Sequence, residues 1–334
     1  MNKLFSVKTP WFWRLFLFLA PLLAFFVSLS SGSLELSMNE IFTLLMQGPG
    51  EELNQTIIWK IRLPRTLLAG LVGAALSLSG VTFQAVLRNP LADPYLLGVS
   101  GGAALGAVIA LTFGFQSPLI LPLAAFIGAL SALLLVYLVA QAHTCSSSTL
   151  ILAGVMVGSL SAALLLFLLW RAPADATRQA IFWLAGNLSL ADPEWLSWGW
   201  IWVVCGFLLL WILAPQLDLL TQGEETAEDL GLNVGRSRLS LFALAGALTA
   251  CAVALAGLVG FVGLVVPHIC RLLWGPGHRL LIPLSALFGG SFLMIADALA
   301  RRVYAPAEIP VGVVTALLGA PFFLYLLRRR GSGL

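Results

Sequence analysis

The chain has 334 residues, of which 60% are hydrophobic and only 10% are charged, and its mean hydropathy is +0.97. A soluble domain of this size could not bury so much apolar side chain, so lipid must be part of its solvent. The net charge of +3 comes with no basic stripe interleaved with aromatic residues, which argues against a nucleic-acid partner. The four cysteines are scattered without CxxC spacing, so neither a disulfide framework nor a metal site is predicted.

Apolar stretches long enough to cross about 30 Å of hydrocarbon recur along the whole chain. We predict an all-α, multi-pass membrane protein with ten spans, near residues 11–29, 66–87, 96–114, 118–141, 149–170, 196–214, 239–258, 261–273, 280–300 and 311–327. The eighth is short and crosses only if it tilts little or is shielded by its neighbours. With the N-terminus inside the cell, eleven of the eighteen Lys and Arg residues are cytoplasmic, so both termini are expected on that side.

Two short stretches, 75–81 in the second span and 253–258 in the seventh, resemble each other. In the predicted topology the first runs inward and the second outward, which is the arrangement of an inverted-topology repeat. The match is short and rich in small residues, so chance explains it equally well.

The segment IRLPRT at 61–66 puts Arg62 and Arg65 at the predicted outer mouth of the second span, and Arg301 and Arg302 follow the ninth span on the same side. Together they predict an external basic rim. Guanidinium groups suit carboxylates, so the rim would dock an acidic partner or an anionic ligand. Arginines that snorkel to lipid headgroups would give the same pattern, and the residues alone do not decide.

Two irregular polar segments lie at predicted cytoplasmic ends: RNPLADP at 88–94 and SSST at 146–149. A gate would need contacts there that break and re-form. As sequence alone, each segment is more often a simple connector.

Residues 215–238 form a polar loop between the sixth and seventh spans, and its acidic residues predict a short helix after Gly223. Acidic residues in the first turn complement the positive end of the helix dipole, and Gly231 offers a stop. Ala227, Leu230 and Leu232 leave a small apolar face. Because so short a helix is marginal in water, we expect a partner surface to hold it. An ordinary amphipathic loop on the membrane surface is the alternative.

The chain lacks the residues that would supply its own energy or chemistry. No lysine follows Lys60, so no GxxxxGK[ST] loop exists for ATP. The predicted spans hold few ionisable groups, chiefly Asp297 and His268, whereas ion-coupled transporters place such groups deep in their helices. No paired Asp, Ser/His or HExxH pattern lies in the spans, so we expect no catalytic site. Either the protein is a passive conduit or a partner supplies the energy.

Taken together and in this order, these segments resemble the permease subunit of binding-protein-dependent ABC importers for iron complexes and cobalamin, the FecCD family. The likeness covers nearly the whole chain. It rests on IRLPRT at 61–66, SGVTFQAVLRNPLADPYLLGVSGGA at 79–103, LILAG at 150–154, GEETAEDLGL at 223–232, GLVGFVGLVVPHICR at 257–271, ADALAR at 296–301 and EIPVGVVTALLGAPFFLYLL at 308–327.

The resemblance implies one transmembrane permease domain over 1–334 in the bacterial inner membrane, with the type II importer fold and 215–238 as a cytoplasmic coupling loop. Members of the family pair as homodimers or close heterodimers around a central pathway, which the fifth helix at 149–170 would line. Two partner ATPase subunits bind ATP and Mg²⁺, so this chain itself would need no cofactor. A periplasmic or lipid-anchored binding protein delivers the cargo.

The resemblance also assigns roles by position. The match to the coupling helix that fits a groove in the ATPase covers Glu224, Glu225, Ala227, Glu228, Leu230 and Gly231. Arg62, Arg65 and Arg301 match outer arginines that pair with glutamates of the binding protein. The match to the cytoplasmic gate covers Asn89, Leu91, Ser147 and Ser148.

The residues do not distinguish the cargo. Iron–siderophore complexes, haem and cobalamin all fit the motifs quoted above, and iron complexes are the commoner assignment in the family. An ion-coupled secondary transporter of a small solute is the alternative function.

Overall fold

The structure, a computed structural model, describes residues 11–32, 34, 36–114, 119–141, 146–189 and 192–331. Within these ranges the chain forms helices, turns and loops and no strand, which confirms the all-α prediction. The outermost residues at both termini lie outside the described part. The described residues form fourteen helices: α1 Trp11–Ser30, α2 Met38–Gln47, α3 Leu53–Val86, α4 Val99–Thr112, α5 Ile120–Gln141, α6 Ser147–Arg171, α7 Ala174–Leu184, α8 Pro193–Ile212, α9 Ala214–Gln222, α10 Glu224–Asp229, α11 Val234–Ala256, α12 Val262–Trp274, α13 His278–Arg302 and α14 Val311–Gly331.

Each predicted span coincides with one of these helices. In the described part, six helices are long and apolar enough to cross a membrane: α3, α5, α6, α8, α11 and α13. Four shorter apolar helices lie in α1, α4, α12 and α14, and α12 is the short eighth span. Length and composition therefore support a multi-pass protein, while the count of ten crossings stays a prediction.

Helix α3 is the centre of the bundle, because 89% of its most apolar 18-residue stretch is buried inside the protein. Two neighbours approach it backbone to backbone through glycines, as close helix packing in membranes requires. A Cβ atom added at Gly80 would lie 1.8 Å from the carbonyl oxygen of Gly263 in α12. One added at Gly73 would lie 2.2 Å from that of Gly289 in α13.

Helix α11 runs antiparallel to α3. The Ser79 hydroxyl donates to the carbonyl of Ala245 at 2.9 Å, which fixes the two helices side by side. Arg88, just after α3, and Arg238, near the start of α11, both reach Glu224, so α11 begins where α3 ends. The two similar stretches at 75–81 and 253–258 therefore lie on oppositely directed helices, as expected. An inverted repeat over the whole chain stays a prediction.

The connection between α11 and α12 is a non-helical segment, 257–261, whose backbone is satisfied by a side chain. The Tyr95 hydroxyl donates to the carbonyl of Val259 at 3.2 Å and accepts from its N–H at 2.9 Å. Tyr95 belongs to a short 3₁₀ turn, Pro94–Leu97, that follows α3. The Asp93 side chain caps this turn at Tyr95 and also accepts from the backbone of Phe261. Buried backbone groups outside a helix need such partners.

Candidate functional sites at the two ends of the bundle

The predicted functional residues lie in two groups at opposite ends of α3. We call the end that holds Arg88, Glu224 and Arg238 the coupling end, and the end that holds Arg65 and Glu308 the arginine end. A helix rises about 1.5 Å per residue, so the stretch of α3 from Arg65 to its last residue separates the two ends by roughly 30 Å.

The predicted acidic helix is present as α10, Glu224–Asp229, and it ends as its sequence indicates. Gly231 adopts a φ of +85°. Its N–H donates to the carbonyl of Glu228 at 2.8 Å, and the N–H of Leu232 donates to that of Ala227 at 2.9 Å. These two bonds form a Schellman motif, which satisfies the last carbonyls of the helix. The prediction that Gly231 stops the helix is confirmed.

The predicted apolar face of α10 is split between the interior of the protein and its surface. Ala227 is fully buried against the chain's own core, so its assignment to the partner-facing side is wrong. Leu230 is 62% exposed and remains free for a partner. Glu225, Glu228 and Asp229 are exposed as well. The exposed surface of α10 is therefore acidic with one apolar side chain.

Glu224 faces inward and holds α10 to the rest of the protein. Its carboxylate lies 2.6 Å from the Arg238 guanidinium and 3.4 Å from that of Arg88. The hydrogen bond from Arg238 is the main cause that lowers the pKa of Glu224 below its ordinary value, and the charges of both arginines add to it. Glu224 thus anchors α10 to the start of α11 and to the turn after α3, and its contact with an ATPase subunit stays a prediction. No sequence motif singles out Arg238 as the partner of Glu224.

The four predicted gate residues occupy two segments that meet at the coupling end. The Asn89 side chain accepts from the backbone of Leu91 at 2.9 Å, which closes the turn after α3. The Ser147 hydroxyl, at the start of α6, donates to the carbonyl of Val86 at 3.3 Å. Ser148 is exposed beside it. The structure therefore brings the two segments together within one chain.

Arg88 links α10 to the turn that carries Asn89 and Leu91. It directly precedes Asn89, and its backbone has a left-handed φ of +49°. Such a conformation costs a non-glycine residue about 1–2 kcal/mol, so surrounding contacts must hold it. The ion pair with Glu224 is one of them. This ion pair is a direct contact between α10 and the turn that carries Asn89 and Leu91.

At the arginine end the prediction of an exposed basic rim is wrong for Arg62, Arg65 and Arg301. They are only 4%, 7% and 5% exposed, because the protein itself uses their donors. Arg62 donates to the carbonyls of Leu29 and Leu34, near the end of α1. Arg302, the fourth member of the predicted rim, is exposed.

A buried carboxylate, Asp297, organises this cluster. Arg65 donates to it through Nε and Nη2, at 3.0 and 2.9 Å, and the Nε of Arg301 lies 3.0 Å from its other oxygen. Arg301 also donates to the carbonyl of Ser31 at 2.6 Å. A buried charge is tolerated only when paired in this way. The cluster ties α1, α3 and α13 together.

Glu308 is the member of the cluster that reaches solvent. It pairs with the Nη1 of Arg65 at 2.8 Å, and its side chain is 45% exposed. Glu308 lies in the motif at 308–327, and no role is predicted for it from the sequence. Its only sequence signal was an acidic residue near the end of a span that also carries arginines.

The described residues contain no group of three or more His, Cys, Asp or Glu side chains that could hold a metal ion.

The profile described as the FecCD transport family matches residues 19–329, which is nearly the whole chain. The chain belongs to the FecCD transport family.

Two permeases and one solved transporter structure are similar to this chain over most of its length. The chain is 46% identical to the cobalamin import system permease of Halobacterium salinarum, over 84% of this chain and 75% of that protein. It is 42% identical to the vitamin B12 import system permease of Escherichia coli SE11, over 96% and 95%. A solved structure described as an inward-facing ABC transporter of metal-chelate type matches with a TM-score of 0.84 and 34% identity, over 94% of this chain and 97% of that one.

Membership of this family makes the chain a multi-pass transmembrane permease subunit of an inner-membrane ABC importer. Proteins of this kind are transport permeases that work with ATPase and binding-protein partners, and ATP hydrolysis belongs to the partner. The alternative of an ion-coupled secondary transporter is therefore not supported.

Proposed function

We propose that this chain is the permease of a cobalamin importer. The observation that carries the proposal is its identity of 46% and 42% to cobalamin permeases, sustained over 84% and 96% of the chain. Iron(III) complexes are the second candidate, because the metal-chelate type transporter shares the fold with 34% identity. Both cargoes are bulky chelates that need a wide pathway rather than a tight site, which fits the scarcity of ionisable groups in the predicted spans.

The pathway would lie between two copies of the chain, along α6. One face of α6 is open in the single subunit and carries Ser148, Leu152, Ser159 and Ala163. These residues lie four, seven and four positions apart, which is one or two helical turns, so they share one side of the helix. A serine hydroxyl that faces lipid finds no hydrogen-bond partner in the hydrocarbon, whereas one that faces a water-filled cavity can bind water. A homodimer across this face encloses such a cavity.

The energy would enter at the coupling end. Each of two ATPase subunits receives one α10 through the exposed residues Glu225, Glu228, Asp229 and Leu230. ATP and Mg²⁺ bind to these partner subunits, and this chain contributes no catalytic group or cofactor. Motion of α10 is passed through Glu224 to Arg88 and from there to the gate residues Asn89, Leu91, Ser147 and Ser148.

The cargo would arrive at the arginine end, which faces the periplasm, while the coupling end and both termini face the cytoplasm. Because Arg62, Arg65 and Arg301 are internally paired, a binding protein cannot use them as a ready-made rim. A glutamate of the binding protein would instead compete with Glu308 for Arg65, whose pair with Glu308 is the solvent-facing contact of the cluster.

The test is reconstitution of the permease with its ATPase subunits and binding protein in proteoliposomes. The ligand that co-purifies with the binding protein is analysed for cobalt and iron by elemental mass spectrometry. Cobalt together with ATP-dependent uptake of cobalamin supports the proposal. Iron assigns the second candidate, and uptake driven by a proton or sodium gradient without ATP refutes the ABC mechanism.

A further inference from the structure

A cleft of about 420 Å³ opens on the side of the bundle, near the arginine end. It lies between the first turns of α5, the first half of α8 and the last turns of α11. Its volume is in the range of roughly 300–1,000 Å³ that is typical of ligand sites. Apolar and aromatic side chains dominate the lining, which is made by Leu119, Pro122, Leu123, Phe126, Glu194, Trp195, Trp198, Gly199, Trp202, Cys251, Ala254 and Leu255.

The cleft has the length and the opening of a site for an acyl chain. Trp202 lies eight positions after Glu194 along α8, a distance of about 12 Å. One leaflet of hydrocarbon is about 15 Å deep. Trp198 is 63% exposed and Trp202 is 46% exposed, so the wall formed by α8 opens sideways, toward the bilayer. Phe126 lies against Trp202, with ring centroids 6.0 Å apart, at the deep end.

The shallow end of the cleft carries one unsatisfied donor and one negative charge. The indole N–H of Trp195 is buried and has no hydrogen-bond partner among the described residues. Indole is a donor only, and a buried donor without a partner is costly. An occupant that reaches this donor with an oxygen acceptor would satisfy it. Glu194, exposed beside it, favours an occupant with a positive group and disfavours one with net negative charge.

We propose that this cleft binds a phospholipid with an ammonium headgroup, of the phosphatidylethanolamine type. One acyl chain lies along α8 toward Trp202. A phosphate or ester oxygen accepts from the indole N–H of Trp195, and the ammonium group pairs with Glu194. The polar groups of the site, Glu194 and the Trp195 indole N–H, lie at the N-terminal end of α8, where the headgroup layer would be. The apolar lining lies further along the helix, where the hydrocarbon would begin.

The experiment is native mass spectrometry of the purified permease with phosphatidylethanolamine and phosphatidylglycerol in equal amounts. The intact protein should retain phosphatidylethanolamine in preference. Trp195→Phe removes the donor and should reduce its retention about fivefold, the effect of one hydrogen bond. Glu194→Gln should abolish the preference between the two lipids. Trp200→Phe and Asp175→Asn, which change an exposed tryptophan and an exposed carboxylate outside the cleft, should change nothing.

A further variant covers the case in which Trp195→Phe unfolds the protein. Leu123→Trp fills the cleft from its 45% exposed rim and leaves Trp195 in place, so it should also reduce retention. Equal retention of both lipids by the unaltered protein, or undiminished retention in Leu123→Trp, would overturn the proposal. So would cross-linking of Trp198→Cys to a second copy of the chain, because a protein would then occupy the cleft. None of these measurements involves ATP or cargo, so they are independent of the proposed transport function.

Discussion

Replacement of Glu224 by glutamine tests the anchor of the coupling helix. The substitution keeps the shape of the side chain and removes its charge. It therefore weakens the contacts with Arg238 at 2.6 Å and Arg88 at 3.4 Å while the burial of Ala227 and the Schellman motif remain. We expect α10 to form but to be held less firmly, so that less of each ATPase movement reaches the gate.

The size of the effect follows from exposure. A hydrogen bond between charged groups contributes about 1.5–3 kcal/mol when buried, and an exposed ion pair about 0.2–1 kcal/mol. The side chains are 8% exposed for Arg238 and 35% for Glu224, so this pair lies between the two cases, at about 1.5 kcal/mol. Arg88 is 44% exposed and adds a few tenths. A loss of about 1.5 kcal/mol raises the undocked population of α10 roughly tenfold.

The assay compares cargo uptake with ATP hydrolysis in proteoliposomes that contain the complete transporter. Glu224→Gln should lower the amount transported per ATP several-fold while the ATPase subunits stay bound. Glu225→Gln is the matched control, because Glu225 is an exposed neighbour on the same helix. A double-mutant cycle for thermal unfolding should give a coupling energy of about 1.5 kcal/mol with Arg238→Gln and a few tenths with Arg88→Gln. If Glu224→Gln transports as well as Glu225→Gln, the anchor does not transmit movement.

Four further results are expected. Arg238 holds the pKa of Glu224 below its ordinary value of 4.5. The unaltered protein should therefore be more stable than Glu224→Gln above about pH 4.5, and this difference should vanish as the pH falls through the lowered pKa. A difference in unfolding temperature that does not change with pH would contradict this. Asp297→Asn removes the buried negative charge that compensates Arg65 and Arg301 and should cost about 3–5 kcal/mol in detergent unfolding, whereas exposed Asp175→Asn should be neutral. Leu230→Asp should release the ATPase subunits on purification without lowering the unfolding temperature, and retained subunits would remove Leu230 from the interface. Gly80→Ala should destabilise by about 1–3 kcal/mol, whereas Gly260→Ala, with nothing within 4 Å of its new Cβ, should not.

Local patterns in the sequence were sufficient for the helices and for the end of α10. Long apolar runs gave the position of every span, and Gly231 gave the Schellman stop, because both depend on neighbours along the chain. The lateral packing of α10 was not predictable in the same way. Glu224 and Glu225 are adjacent and identical, and only the place of Arg238 on another helix decides which of them faces inward.

The arginine end shows the same limit over a longer distance. An arginine at the end of a span is usually read as exposed, because its charge is costly in lipid. Arg65 is buried because it pairs with Asp297. That partner lies 232 residues further along the chain. Arg62 is buried because backbone carbonyls near the end of α1 need donors there. No pattern within either segment records these pairings, so an exposed rim was the natural but incorrect expectation.

The hydroxyl of Tyr95 has a consequence for how the subunit can change shape. It satisfies both backbone groups of Val259 in the non-helical segment before α12. Separation of the two would leave the N–H and the carbonyl of buried Val259 without this partner, so we expect the 3₁₀ turn and the beginning of α12 to move together. We expect any bending to occur on either side of this pair, at the turn at Arg88 and at Gly257. In a permease that alternates between two shapes, the pair would then act as a fixed block.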